Sequence, residues 1–256
     1  MKNPSKKTFI RYMIRWALRV LTFFAVLYFY LYDREIISSF VEFRLFGPLT
    51  PLHLLWGILM FGMITHLLMP HWETMGMRKG QKETYIPPEG SYDRLELLEY
   101  VQQMDLRAWR VMLVWLLLNS VFGLLYLFDV IGDAELILLS IFYYLCDLTC
   151  ILMFCPFQTF IMKNRCCVNC RIFDWGHFMM YTPLLFIRSF FTWSLFFTAC
   201  IVLIHWEVGY AKHPERYWFG SNAAIRCSNC PDKLCRIKKP LREVYDKKKT
   251  VSSKNR

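Results

Sequence analysis

Residues 111–156 read VMLVWLLLNSVFGLLYLFDVIGDAELILLSIFYYLCDLTCILMFCP, so two long apolar runs stand on either side of the short polar segment 129–135. Each run is close to the ~20 residues that an α-helix needs to cross a bilayer. Because the connection is short, the two helices must be antiparallel neighbours. The stretch therefore predicts a hairpin of membrane-spanning helices, the third and fourth spans of the chain.

Apolar residues are too abundant for a soluble domain of this length. Of the 256 residues, 55% are hydrophobic and 18% are aromatic, and they occur in blocks rather than evenly along the chain. Two further blocks, residues 16–32 and 52–69, have the length of a span. The sequence therefore predicts an all-α, polytopic integral membrane helical bundle of four or five spans, one of which can be re-entrant.

Basic residues precede the first span: Lys2, Lys6, Lys7, Arg11 and Arg15. A signal peptide begins in the same way, but the polar residues that follow this span contain no small-residue cleavage pattern. The basic flank places the N-terminus in the cytosol. We therefore expect an uncleaved anchor, in the plasma (inner) membrane if the source is bacterial.

The longest polar connection, residues 71–110, is rich in Lys and Arg, which predicts a cytosolic loop, and the shorter loop 161–177 is predicted on the same side. Within the first loop, residues 87–90 read PPEG and interrupt the chain. Ser91 or Asp93 can cap the helix that follows. Its apolar residues fall on one side, so we expect it to lie along the membrane surface before the third span.

The last apolar run, residues 178–206, is long for one span and too short for two. A single crossing would leave the tail outside, although residues 207–256 contain thirteen Lys or Arg against five Asp or Glu. The positive-inside rule favours a cytosolic tail, which requires the run to enter and return. Against a return, the middle of the run has no Gly or Pro to form a tip. We divide the chain into a membrane domain, residues 1–206, and a basic cysteine-containing tail, residues 207–256.

Two cysteine groups lie in polar segments, one in the loop after the fourth span and one in the tail: Cys166, Cys167 and Cys170, and Cys227, Cys230 and Cys235. Each group contains a C-x-x-C pair, and each is bracketed by arginines: Arg165, Arg171, Arg226 and Arg236. Two C-x-x-C turns supply the four thiolates that bind Zn²⁺ or an iron–sulfur cluster, and nearby arginines offset their charge. We predict metal ligation by Cys167, Cys170, Cys227 and Cys230, with Cys166 and Cys235 as alternatives.

The identity of the metal is left open between an iron–sulfur cluster and Zn²⁺. Cys230-Pro231 is a pairing that often closes a ferredoxin-type run, and six cysteines exceed what structural zinc requires, so iron–sulfur is favoured. Reversible thiol chemistry and structural disulfides are the other readings, the latter if the tail faces an oxidising compartment. The function we expect is electron transfer or redox sensing with a redox partner protein. A non-enzymatic scaffold stapled by zinc is an alternative, and the sequence does not decide whether the chain is an enzyme.

Asp147 in the fourth span and Arg188 in the last run are two charges inside apolar segments. A lone charge there is costly, so the two are expected to pair with each other or to line an aqueous path. The path would make the chain a small transporter. The net charge of +11 is explained by topology and contact with anionic lipid, so no nucleic-acid partner is predicted.

Histidines stand near the ends of two apolar runs: His53, His66, His177 and His205. Axial ligation of a haem needs two of them at matched depth on facing helices. The separation of these histidines along their helices allows at most one matched pair, so we expect interfacial or hydrogen-bonded histidines rather than two haems.

Overall fold

The computed structural model describes residues 6–41, 50–68, 82–88, 90–164, 170–226 and 229. These residues form helices and connecting turns without a strand, as predicted. Seven α-helices are described: α1 (Lys6–Tyr32), α2 (Arg34–Val41), α3 (Pro51–Leu68), α4 (Arg94–Leu127), α5 (Asp133–Leu152), α6 (Gly176–Tyr181) and α7 (Phe190–Lys212). Short 3-10 helices cover Lys82–Thr84, Phe173–Trp175, Thr182–Phe186, Pro214–Arg216 and Ala223–Ile225, and Phe157–Ile161 is a π-helix.

Five of these helices, α1, α3, α4, α5 and α7, are long and apolar enough to cross a membrane. Many large apolar side chains on them point away from the protein, among them Leu21, Phe61, Leu117 and Ile204. Exposed apolar surface on this scale is what a lipid-facing bundle requires and is rare on a soluble monomer. The architecture is therefore compatible with the predicted membrane bundle.

The predicted antiparallel pair is α4 and α5, which are joined by residues 128–132. Asp129 has a φ of 56°, a left-handed conformation that an Asp tolerates in a tight turn. The hydroxyl of Tyr126 donates to Asp133 Oδ1 at 2.8 Å, and the Gly132 N–H donates to Glu135 Oε2 at 2.9 Å. These bonds hold the turn and cap α5. We call this end of the bundle the hairpin end, and the opposite end, where α7 ends at Lys212, the tail end.

Side-chain contacts give the direction of α1. It runs antiparallel to α5, because Trp16 Nε1 donates to Thr149 Oγ1 at 3.0 Å and the Tyr30 hydroxyl donates to Glu135 Oε1 at 2.8 Å. The described part of the chain therefore starts at the tail end.

Helix α3 runs from the hairpin end to the tail end. Near its start Trp56 Nε1 donates to Ser194 Oγ at 2.9 Å, close to the beginning of α7. Near its end His66 packs on His177, with ring centroids 5.5 Å apart, close to the beginning of α6. Helix α4 then runs from the tail end to the hairpin end and α5 runs back, so the loop after α5 lies at the tail end again.

The last apolar run doubles back along the bundle: it runs from the tail end to the hairpin end and then back to the tail end. Helix α6 and the 3-10 turn Thr182–Phe186 rise along α4, where Trp115 Nε1 donates to Thr182 Oγ1 at 3.2 Å and the Phe186 ring reaches Gly123. Arg188 lies near Tyr126 at the hairpin end. Helix α7 then runs back to the tail end, so both ends of this run lie at the same end of the bundle.

The tip of this return is made without Gly or Pro. Ile187 and Ser189 have extended backbones, and α7 starts at the next residue. Ser189 Oγ donates to the Val41 carbonyl at 2.7 Å, and Thr192 Oγ1 donates to the Ile187 carbonyl at 2.8 Å. Hydroxyl groups thus satisfy the carbonyls that a broken helix leaves open.

Helix α4 is one continuous element, not a surface helix followed by a span. Asp93 is its cap, as predicted, and its Oδ1 accepts the Leu95 N–H at 2.8 Å. The 34 residues extend about 51 Å, well beyond a hydrocarbon core of ~30 Å. No helix breaker separates Leu98 from Val111, so the helix has no reason to bend onto a membrane surface.

Gly123 allows the return segment to pack closely on α4. A Cβ at this position would lie 2.3 Å from Phe186 Cζ, whereas a Cβ at Gly57 or Gly62 on α3 would meet nothing within 4 Å. We expect Gly123→Ala to destabilise the protein by about 1–3 kcal/mol, because the Phe186 ring must move out of its place. Gly57→Ala is the matched control and should be neutral or stabilising, since Ala favours helix over Gly by up to ~1 kcal/mol. Thermal unfolding of the detergent-solubilised protein measures both, and an equal response of the two variants would contradict the packing.

Candidate functional site

One of the six predicted ligands lies in the described part of the chain. Cys170 is 6% exposed and belongs to an apolar cluster at the tail end that we call the tail-end cluster: Cys170, Trp175, Trp206, Tyr210 and Tyr217. The predicted ligands Cys166, Cys167, Cys227, Cys230 and Cys235 lie outside the described residues. The convergence of the two cysteine groups on one ion therefore stays a prediction.

The segments that flank both cysteine groups do meet. Cys170 and Trp175, which end the first group and its loop, pack in the tail-end cluster. Tyr217, from the segment that leads to the second group, contacts the rings of Tyr210 at 5.0 Å and Trp206 at 5.7 Å. The described flanks of both groups therefore pack at the tail end of α7.

Arg171 holds this arrangement together with charges as well as rings. Its Nη2 donates to Glu207 Oε2 and lies 3.5 Å from Asp105 Oδ1 on α4. Its guanidinium lies 3.6 Å from the centroid of the Tyr210 ring. The other carboxylate oxygen of Glu207 accepts the Trp175 Nε1–H at 2.7 Å. With 11% of its side chain exposed, Arg171 therefore ties the loop to α4 and α7 from a largely buried position.

The described bracketing arginines have partners other than thiolates, and their role in balancing the charge of a metal centre stays a prediction. The charge of Arg171 is paired with two carboxylates, Asp105 and Glu207. Arg226 donates to the Phe219 carbonyl at 3.1 Å and shapes the tail instead. The sequence pattern of arginines around cysteines does not show whether carboxylates elsewhere in the chain will form ion pairs with those arginines. Arg165 and Arg236 lie outside the described residues.

Tail residues 213–226 are anchored by one side chain that sequence reasoning missed. Asn222 is fully buried, its Oδ1 accepts the N–H groups of Ile86 at 3.3 Å and Ala224 at 3.0 Å, and its Nδ2 donates to the Arg216 carbonyl at 2.7 Å. Burial raises the pKa of the neighbouring Tyr217 to about 12, so its hydroxyl stays neutral at physiological pH. The chain is thus held in place up to the residue before Cys227.

Asp147 has a partner other than the predicted one. Arg19 Nη1 lies 2.7 Å from Asp147 Oδ2 and donates to the Tyr144 carbonyl at 2.7 Å. The predicted partner Arg188 is at the hairpin end, beside Tyr126. Arg19 escaped notice because it lies near the start of the first span, where a basic residue reads as part of the flank. The pair joins α1 to α5, which is a register-fixing role and does not call for an aqueous path.

Histidine packing gives one matched pair. The rings of His66 and His177 contact each other edge to face, with an interplanar angle of 86°, instead of facing each other across a haem. His53 packs on the ring of Phe191 at 4.6 Å. Within the described ranges, no group of three or more His, Cys, Asp or Glu side chains is placed to bind a metal.

Comparison with known proteins adds no assignment. No protein-family model matches this chain, and no curated protein and no solved structure is significantly similar to it.

Proposed function

We propose that this chain is a membrane protein with a cysteine-liganded metal centre at the tail end, used for electron transfer or redox sensing. The ligands would be Cys167, Cys170, Cys227 and Cys230, with Cys166 and Cys235 as alternatives, and the metal an iron–sulfur cluster or Zn²⁺. The observation that carries the proposal is the meeting of the flanks of both cysteine groups in the tail-end cluster.

Metal binding by residues that are distant in sequence costs less conformational entropy when the flanking segments are already ordered. A site built from two parts of a chain is weakened by the disorder that its ligands lose on binding. Here Arg171 and Trp175 immobilise one segment, and Asn222 and Tyr217 immobilise the other. Folding has therefore already ordered the segments next to both groups, so metal binding costs less conformational entropy. This supports a shared centre between the two groups.

The distribution of charge supports a cytosolic tail end. At the hairpin end, acidic residues outnumber basic ones: Asp33, Asp129, Asp133 and Glu135 against Arg34 and Arg188. The tail end carries the basic excess, including Arg11, Arg15, Arg107, Arg110, Lys163 and Lys212. By the positive-inside rule the tail end faces the cytosol. Cysteines in this reducing compartment are available as thiolates for metal or for redox chemistry with a partner protein.

Metal analysis of the purified full chain tests the proposal. We expect bound iron with sulfide and visible absorption, or bound zinc without colour, in stoichiometric amount. Cys170→Ser and Cys230→Ser should each lower the bound metal by roughly tenfold or more, since a thiolate ligand is removed. Cys200→Ser is the control, because Cys200 lies on α7 and belongs to neither group, and it should keep the full metal content.

The outcomes separate the versions of the proposal. Iron with a reversible optical change on reduction supports electron transfer or redox sensing. Zinc that is lost together with the fold of the tail supports the stapled scaffold and removes the redox function. A protein that holds no metal when purified without chelators, or whose metal survives both ligand substitutions, overturns the centre.

A further inference from the structure

A cavity of about 370 Å³ lies beside the tail-end half of α5. This volume is in the range of small-molecule sites. Its wall is mostly aromatic and aliphatic, with rings from Trp115, Phe142, Tyr143, Phe154, Phe157 and Phe173. Phe142 and Phe154 are 45% and 40% exposed on the outside of the bundle, so the cavity borders the surface that faces lipid.

Sulfur is concentrated on the wall of this cavity. Cys146, Cys150, Cys155 and Cys170 all line it. The thiols of Cys150 and Cys155, both on this wall, are close enough to interact with each other. Cys146, Cys150 and Cys155 belong to none of the predicted C-x-x-C pairs.

The contact between Cys150 and Cys155 depends on a break in the helix. In a continuous α-helix two residues five positions apart point about 140° away from each other, so their thiols could not meet. Here α5 ends at Leu152, residues 153–155 leave the helix, and Pro156 lacks the N–H that would continue it. The break returns Cys155 to the side of α5 that carries Cys150.

Polar groups beside the thiols are few and specific. The Gln158 N–H donates to Cys155 Sγ at 3.4 Å, a bond that favours negative charge on this sulfur. Asp147, paired with Arg19, and the buried Gln158 also line the cavity. A cavity with apolar walls, a thiol pair and a few polar groups has the composition expected of a site for a mostly apolar ligand that carries some polar atoms.

We propose that Cys150 and Cys155 are a redox-active dithiol whose oxidant is a lipid-soluble quinone bound in this cavity. Two S–H bonds break and one S–S bond forms. The two electrons and two protons released pass to the quinone, whose two carbonyls become the hydroxyls of a quinol. The reaction is balanced without a further reactant and leaves a disulfide between α5 and residues 153–155, which precede the π-helix.

A quinone fits the site better than a water-soluble oxidant. The chamber is lined by apolar atoms and borders the lipid-facing surface, which excludes charged oxidants and admits a ring with an isoprenoid chain. A dithiol gives up two electrons in one reaction, and a quinone accepts two. Aromatic walls stack on a flat ring, and the Gln158 amide can donate to a carbonyl.

Decylubiquinone added anaerobically to the reduced full chain in nanodiscs tests the proposal. We expect one quinone reduced for each chain, measured by its ultraviolet absorbance, and a Cys150–Cys155 disulfide, identified by mass spectrometry after alkylation of the free thiols. Cys150→Ser and Cys155→Ser should each abolish both signals. Cys200→Ser, which leaves the cavity untouched, should keep them.

Three further variants test whether the cavity and the thiols are required for the reaction. Cys146→Phe partly fills the cavity and leaves both thiols in place, so it should slow the reduction, whereas Cys146→Ser should not. A chain with Cys227→Ser and Cys230→Ser lacks the proposed metal centre and should still react, which separates the failure of one proposal from that of the other.

Three results overturn the dithiol. The cavity cysteines could remain free after quinone is added, the reduction could persist in Cys150→Ser, or a decyl alcohol without a quinone ring could protect the thiols from alkylation as well as decylubiquinone does while no disulfide forms. The last result would identify the cavity as a lipid site.

Discussion

Replacing Arg171 with alanine should lower the free energy of unfolding by about 3 kcal/mol, the low end of the cost of breaking a buried ion pair, because the side chains of Glu207 and Asp105 are 29% and 43% exposed. Asp105 and Glu207 would then face each other with the Trp175 indole as the remaining donor in the described network. The stacking of the guanidinium on Tyr210 would be lost as well. We expect this variant to have the largest effect of any single substitution of an arginine at the tail end.

The comparison variants isolate the cause. Arg171→Lys keeps the charge but not the planar fork, so it should recover only part of the stability. Arg94→Ala removes an exposed arginine from the start of α4 and should change the free energy of unfolding by less than about 0.5 kcal/mol. Chemical unfolding in detergent, followed by tryptophan fluorescence, measures all three. An Arg171→Ala protein as stable as Arg94→Ala would show that the network does not hold the loop.

Removing one partner of the Arg19–Asp147 pair should destabilise the bundle by about 3 kcal/mol, because the other charge is left inside an apolar segment. The two side chains are 18% and 22% exposed and lie between α1 and α5. We expect Arg19→Met and Asp147→Asn each to show this loss. The double variant should lose less than the sum of the two single losses, by a coupling energy on the order of 2 kcal/mol.

Arg188 supplies the matched control for this cycle. It lies at the hairpin end, beside Tyr126. Arg188→Met combined with Asp147→Asn should therefore be additive within about 0.5 kcal/mol. Coupling of Asp147 to Arg188 instead of Arg19 would contradict the packing of α1 on α5. Loss of a transport activity in the single variants together with its return in the double variant would also argue for a structural pair.

The hairpin of α4 and α5 could be predicted because its signal is local. Two apolar runs joined by a short polar connection can only form an antiparallel pair. Asp93 indicates the start of α4, because it precedes a helical pattern. Charge favoured a last run that doubles back, since the basic excess of residues 207–256 disfavours a single crossing.

The path of the return could not be predicted, because length rules assume that a crossing segment faces lipid. Thr182–Phe186 is a 3-10 helix that packs against Trp115 and Gly123, so protein replaces lipid around it. Residues around the tip use hydroxyl groups, not Gly or Pro, to turn. A hydropathy window of ~20 residues does not detect so short a segment.

The candidate site was foreseen in part. The two cysteine groups were apparent from their spacing, but the residues that bring their flanks together were not. Glu207 and Asp105 look like ordinary polar residues at the ends of apolar runs until the fold places both beside Arg171. Asn222 carries no pattern, because its partners are backbone groups far away in sequence.

The protein-lined crossing of residues 176–189 also bears on how the chain is made. A segment this short and irregular cannot partition into a bilayer by its own hydrophobicity, since its open carbonyls would be left in hydrocarbon. In the membrane bundle that we propose, this segment would depend on neighbouring helices for its insertion. One of these neighbours, α7, is synthesised after the segment, so its insertion would be completed only when α7 is in place.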